Sequence, residues 1–195
     1  MTNSNPTVAP PAPQAQQAPT EIFATFAGSI DQNALQRIFS GVSGAMTSKV
    51  QRIHLLFQST GGSVPDGVCL YNYLHSLPIE ISLYNVGTVA SIAALAYLGA
   101  KVRKTSASAT FMLHRTQIIP QSATAERLQS IGKSVSLDDQ RTEAILRKHL
   151  RLPDEFWDVH KVADLWLSAE EAVKYGLATE IGEFSPTFGF QIFNV

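Results

Sequence analysis

The chain has 195 residues, 45% of them hydrophobic and 16% charged, and its fifteen Lys and Arg nearly balance sixteen Asp and Glu for a net charge of −1. That balance supplies no basic field for nucleic acid or an anionic membrane. The single cysteine, Cys69, excludes an intrachain disulfide and a cysteine-built metal cluster.

In chain order, Met1 to Thr20 is rich in Pro, Ala and Gln. It lacks the basic and apolar regions of a secretory signal and reads as a disordered tail, residues 1–20. Residues 21–195 then form one domain, long enough for a single core. Few charges on so small a domain leave apolar surface to cover, a hint of self-association. Glu21–Gly28 reads as a first strand. Asp31 caps a helix whose apolar face is Leu35, Ile38, Phe39 and Val42. Arg52–Phe57 is a second strand, closed by Ser59-Thr60-Gly61-Gly62-Ser63. Val64, Val68, Tyr71 and Leu74 then mark a second helical face, and Cys69 in that helix reads as a small core filler. Ile79–Tyr84 is a third strand, followed by a tight connection from Gly87 to Ser91.

Ile92–Gly99 is apolar all round and therefore a buried helix. The apolar stretch from Val89 to Ala100 is too short to span a bilayer, and the cytoplasm is the default compartment. Thr110–His114 is a fourth strand. Ser122–Leu150 is a long polar helix with Gly132 as a point of expected bending, and Pro153 ends it. Asp154–Val162 is a short helix. Ser168 and Glu171 form a capping box, and Gly176 is the stop that follows. Strands alternating with helices predict an α/β fold with a largely parallel sheet and helices on its faces.

Four positions could carry chemistry. Ser91 stands at a strand–turn–helix junction, where backbone N–H groups are free to meet an anion; an ordinary helix cap is the plain reading of such a serine. His114 is the one histidine of five that directly follows an apolar strand, and strand ends are where α/β sites form. The plain reading there is a satisfied polar residue at a sheet edge. Asp164 lies among apolar residues, where a carboxylate needs a partner such as an imidazole N–H; a solvated acid before a helix is the alternative. Gly61 and Gly62 allow a turn whose N–H groups approach a carbonyl oxygen, or equally a phosphate or an acyl-CoA.

Together these segments resemble the Clp protease proteolytic subunit, the S14 type of serine peptidase. Ser59-Thr60-Gly61-Gly62 resembles the family's Ser-Pro-Gly-Gly turn, and Gly87-Thr88-Val89-Ala90-Ser91-Ile92 its Gly-x-Ala-Ala-Ser-Met segment. Phe111-Met112-Leu113-His114 resembles its histidine strand. Asp164-Leu165-Trp166-Leu167-Ser168-Ala169-Glu170-Glu171-Ala172, with Tyr175-Gly176-Leu177 after it, is similar to its final block. The four blocks keep the family's order, with gaps of 23 residues from Ser91 to His114 and 50 from His114 to Asp164.

The resemblance covers residues 21–182 and implies a Clp/crotonase-like fold of stacked ββα units with a protruding handle helix. It implies Ser91 as nucleophile, His114 as general base, Asp164 as the orienting group, and the N–H groups of Gly62 and Ile92 as an oxyanion hole. No metal or organic cofactor is needed. The expected partners are peptide or unfolded-protein substrates and copies of the chain in a heptameric ring or stacked rings. The family usually carries an axial hairpin before the first strand, where this chain has its Pro/Ala/Gln tail, so the docking of an AAA+ unfoldase is left open. Arg115-Thr116 stands where the family usually has Gln-Pro. Three other readings stay in view: a Ser-Lys peptidase using Lys101 or Lys104, a crotonase-type acyl-CoA enzyme, and a catalytically inactive ring subunit.

Overall fold

The computed structural model describes residues 20–119 and 122–195; residues 1–19 of the proposed tail lie outside them. Strand β1 (Glu21–Ala27) leads into helix α1 (Gln32–Thr47), whose first turn is capped by the Asp31 carboxylate accepting from the Ala34 N–H at 2.8 Å. In β2 (Arg52–Gln58) burial alternates strictly: Ile53, Leu55 and Phe57 face the core, as a half-buried strand requires. Helix α2 (Val64–Ser76) follows, then β3 (Glu80–Asn85), β4 (Thr88–Ala90), α3 (Ile92–Tyr97), β5 (Val102–Thr105) and β6 (Thr110–Leu113). The long α4 (Ala125–His149) precedes α5 (Asp154–Val162), β7 (Leu165–Ser168), α6 (Ala169–Lys174), β8 (Glu180–Ile181) and β9 (Ile192–Asn194).

Two sheets result. The larger has the order β8-β5-β3-β2-β1-β9, and each of its pairs is parallel. The smaller, β4-β6-β7, pairs β4 with β6 in parallel and β6 with β7 antiparallel. All six residues of α3 are buried, and it packs on α2, β4, β6 and α4. Gly67 of α2 makes this approach possible, because a Cβ there would collide with Ile92. The architecture is the α/β arrangement of parallel strands and helices expected from the sequence.

Several local expectations need correction. Cys69 is exposed and no core filler, because the buried stripe of α2 is Gly67, Leu70, Tyr71 and Leu74 and Cys69 lies off it. Gly132 does not interrupt α4, which runs unbroken for 25 residues. The short strands β4, β5, β7 and β9 hold three or four residues each, too few for alternation to reveal them in the sequence. The capping box of Ser168 and Glu171 is present in full, and Gly176 takes a φ of +89°.

Candidate active site

Ser91 connects β4 to α3 with φ 57° and ψ −135°, a conformation rare for a residue with a side chain and costing on the order of 1–3 kcal/mol. Its N–H donates to the Met112 carbonyl of β6 at 2.8 Å, which fixes the bend against the neighbouring strand. Although Ser91 occupies the N-cap position of α3, its side chain makes no capping bond. The hydroxyl instead lies 2.6 Å from Nε2 of His114, the first residue after β6. Parallel pairing of β4 with β6, Ala90 opposite Met112, brings the two residues together.

The glycine turn lies against the serine. Gly61 and Gly62 have φ of +114° and +154°, and a Cβ on Gly61 would stand 2.6 Å from Ser91 Cβ. Ser59 secures this approach: its buried hydroxyl accepts from the Gly61 N–H at 3.1 Å, and its carbonyl accepts from the Ala90 N–H at 2.9 Å. The β1–α1 loop adds a second tie, since the Ile30 N–H donates to the Gly61 carbonyl and the Ser63 N–H to the Ile30 carbonyl, both at 2.8 Å. Gly62 and Ile92 both border a small cleft of about 120 Å³ beside Ser91 and His114. Leu95 and Leu146 give that cleft an apolar wall. A larger cavity of about 1050 Å³ lies between α1 and the C-terminal strand and touches none of these residues.

Asp164 is placed differently from the expectation. Leu113 pairs with Leu165 across the β6–β7 ladder, so continuing the register by one residue sets Asp164 opposite His114. The Asp164 side chain is nevertheless exposed and forms no hydrogen bond or ion pair among the described residues. His114 Nδ1 is buried, and it too has no partner among the described residues. The two groups face each other along the backbone, but their contact is not made in this conformation.

The structure also draws attention to His160 of α5, which the sequence reading did not single out. It is 4% exposed, packs edge-on against Trp157, and its Nε2 is without a partner among the described residues. Burial holds its pKa below the ordinary histidine value, and Glu143, Arg115, Asp139 and His114 are the charges that act on it. Nothing in its helical setting distinguishes it in the sequence. Neither lysine of the Ser-Lys reading bonds to Ser91: Lys101 is exposed, and Lys104 pairs with Glu180 at 3.3 Å. Among the described residues no cluster of three or more His, Cys, Asp or Glu side chains could hold a metal ion, and no helix is long and apolar enough to cross a membrane.

Known proteins resemble this chain in sequence and fold. The ATP-dependent Clp protease proteolytic subunit 3 of Rhizobium johnstonii is 27% identical over 159 residues, 79% of this chain and 80% of its own. The ATP-dependent Clp protease proteolytic subunit 2 of Pseudomonas aeruginosa is 24% identical over 163 residues, 83% of this chain and 80% of its own. Among solved structures, a mutant ClpP1 from Listeria monocytogenes superposes with a TM-score of 0.71 at 20% identity, covering 83% of this chain and 91% of that one, so the fold is the Clp fold. The Clp protease family model matches residues 18–185, nearly the whole described chain, and the protein therefore belongs to the Clp protease family.

Proposed function

We propose that the chain is a serine endopeptidase that hydrolyses peptide bonds of peptides or unfolded proteins, with Ser91, His114 and Asp164 as its triad. The 2.6 Å approach of Ser91 Oγ to His114 Nε2, on a backbone bent for that purpose, carries this reading. Ser91 Oγ attacks the scissile carbonyl while Nε2 takes its proton, then returns it to the leaving amine. For Nε2 to accept, the imidazole proton must sit on Nδ1. A buried N–H with no acceptor costs about 1–3 kcal/mol. The Asp164 carboxylate, opposite His114 in register, supplies that acceptor once its side chain turns inward, and it then stabilises the imidazolium. The N–H groups of Gly62 and Ile92, both at the cleft, receive the oxyanion.

Residues 21–195 form the peptidase domain in this reading, working in the cytoplasm as a ring of identical subunits with the sites facing an inner chamber. A second reading, an inactive ring subunit, is favoured by one observation: Asp164 is exposed while His114 Nδ1 has no partner among the described residues. Cleavage of a fluorogenic peptide by the wild type, Ser91→Ala and His114→Ala decides between them. Activity lost in both variants supports the triad. Activity surviving in His114→Ala contradicts it, and a wild type inert in its assembled form supports the inactive subunit.

A further inference from the structure

We propose that Asp139 is a positioning residue of this site, clamping to α4 the backbone that follows His114. The proposal rests on the serine-peptidase reading above. Strand β6 ends at Leu113, and residues 114–119 belong to no helix or strand. His114 thus stands where the sheet stops holding the chain, yet Arg115, Thr116 and Gln117 must keep their place as one wall of the cleft beside Ser91. Asp139 supplies the missing hold. One carboxylate oxygen, Oδ1, accepts from the Thr116 N–H at 2.8 Å. The other, Oδ2, accepts from the Arg115 guanidinium, at 2.9 Å from Nε and 2.8 Å from the terminal nitrogen.

An exposed pair of this kind would be worth little. Here the carboxylate is only 11% exposed, although most of α4 faces solvent and Leu146 is its one fully buried residue among those described. The buried His160 lies within reach of the charges of Asp139, Arg115 and His114. One turn further along α4, Thr142 borders the same cleft and donates its hydroxyl to the Asp138 carbonyl at 2.8 Å. The middle of α4 is therefore part of the cleft wall, and Asp139 ties it to the segment that carries the general base. A shift of about 1 Å in such a segment can cost on the order of 10²-fold in rate.

Three variants of the full chain separate the two arms of the clamp. Asp139→Ala removes both, Arg115→Ala removes only the ion pair, and Asp139→Asn keeps an oxygen for the Thr116 N–H. With a fluorogenic peptide, Asp139→Ala is expected to lower kcat/KM by roughly 10²-fold. Asp139→Asn should recover most of that loss. Hydrogen exchange at the Thr116 amide, slow in the wild type, should accelerate in Asp139→Ala and stay slow in Asp139→Asn. Wild-type kcat and KM in Asp139→Ala would overturn the proposal, as would equal losses in the Ala and Asn variants or a loss explained by altered melting or assembly. Failure of the underlying reading shows separately, as a wild type that does not cleave, and Thr116 exchange still judges the clamp in that case.

Discussion

Ser91 Oγ and His114 Nε2 stand 2.6 Å apart, joined across the smaller sheet although 23 residues separate them in the chain. Parallel pairing of Ala90 with Met112 sets the distance, and the strained backbone of Ser91 aims the hydroxyl away from its own helix. A serine serving only as a cap would do the reverse, bonding to a nearby backbone N–H in a relaxed extended conformation.

The strain at Ser91 makes stability and activity separable. Ser91→Gly should abolish peptide cleavage while raising stability by about 1 kcal/mol, because glycine adopts a φ of 57° without the penalty. Urea unfolding monitored by tryptophan fluorescence measures the change. A lower unfolding midpoint in the glycine variant would show that the conformation is not strained.

If Asp164 orients His114, Asp164→Asn should reduce turnover steeply, by roughly 10⁴-fold, with KM little changed. The measurement is steady-state peptide cleavage by the assembled protein. A near-normal rate would mean that another group, with the buried His160 as the nearest candidate on chemical grounds, orients His114.

Gly61→Ala should damage both fold and site. The new Cβ would lie 2.6 Å from Ser91 Cβ, at a φ of +114° that alanine tolerates poorly. A loss of at least about 1 kcal/mol in stability and of nearly all cleavage is expected. Thermal melting and the peptide assay together check it, and an active Gly61→Ala protein would show that the turn does not press on Ser91.

Acid should weaken the fold through His149. Burial, then the positive charges of Arg103, Lys148, His75 and Arg151, lowers its pKa from 6.5 to about 4, and its Nε2 shares a hydrogen bond with the Tyr71 hydroxyl at 2.9 Å. The fold favours the neutral imidazole, so the unfolded chain binds the proton more readily. This contribution is complete above about pH 6.5 and is lost as pH falls toward 4. Urea midpoints measured from pH 7 to pH 4.5 should decline, and His149→Gln should flatten the decline. Identical pH slopes in the two proteins would remove His149 as the cause.

Much of the backbone was legible in the sequence because its signals are local. Asp31 caps α1, Ser168 and Glu171 close their box, and the Ile53, Leu55 and Phe57 alternation marks β2. The positions of Ser91 at a strand–turn–helix junction and of His114 at a strand end were legible in the same way. The side-chain state of Asp164 was not, since sequence pattern fixes which residues stand opposite one another but not which way a side chain at the end of a ladder turns. Cys69 was misplaced for a related reason: the four apolar positions Val64, Val68, Tyr71 and Leu74 of α2 fit more than one helical stripe, and the tight fit of Gly67 on Ile92 selects among them. The clamp of Asp139 on Arg115 and Thr116 joins a helix to a loop across 24 and 23 residues and has no local pattern at all.

The most direct measurement is reaction of the assembled protein with a fluorophosphonate probe, with the adduct mapped by mass spectrometry. A working nucleophile, base and oxyanion hole predict a single adduct on Ser91 that disappears in His114→Ala. A folded, assembled protein that forms no adduct, or one that forms it equally well without His114, would contradict the account.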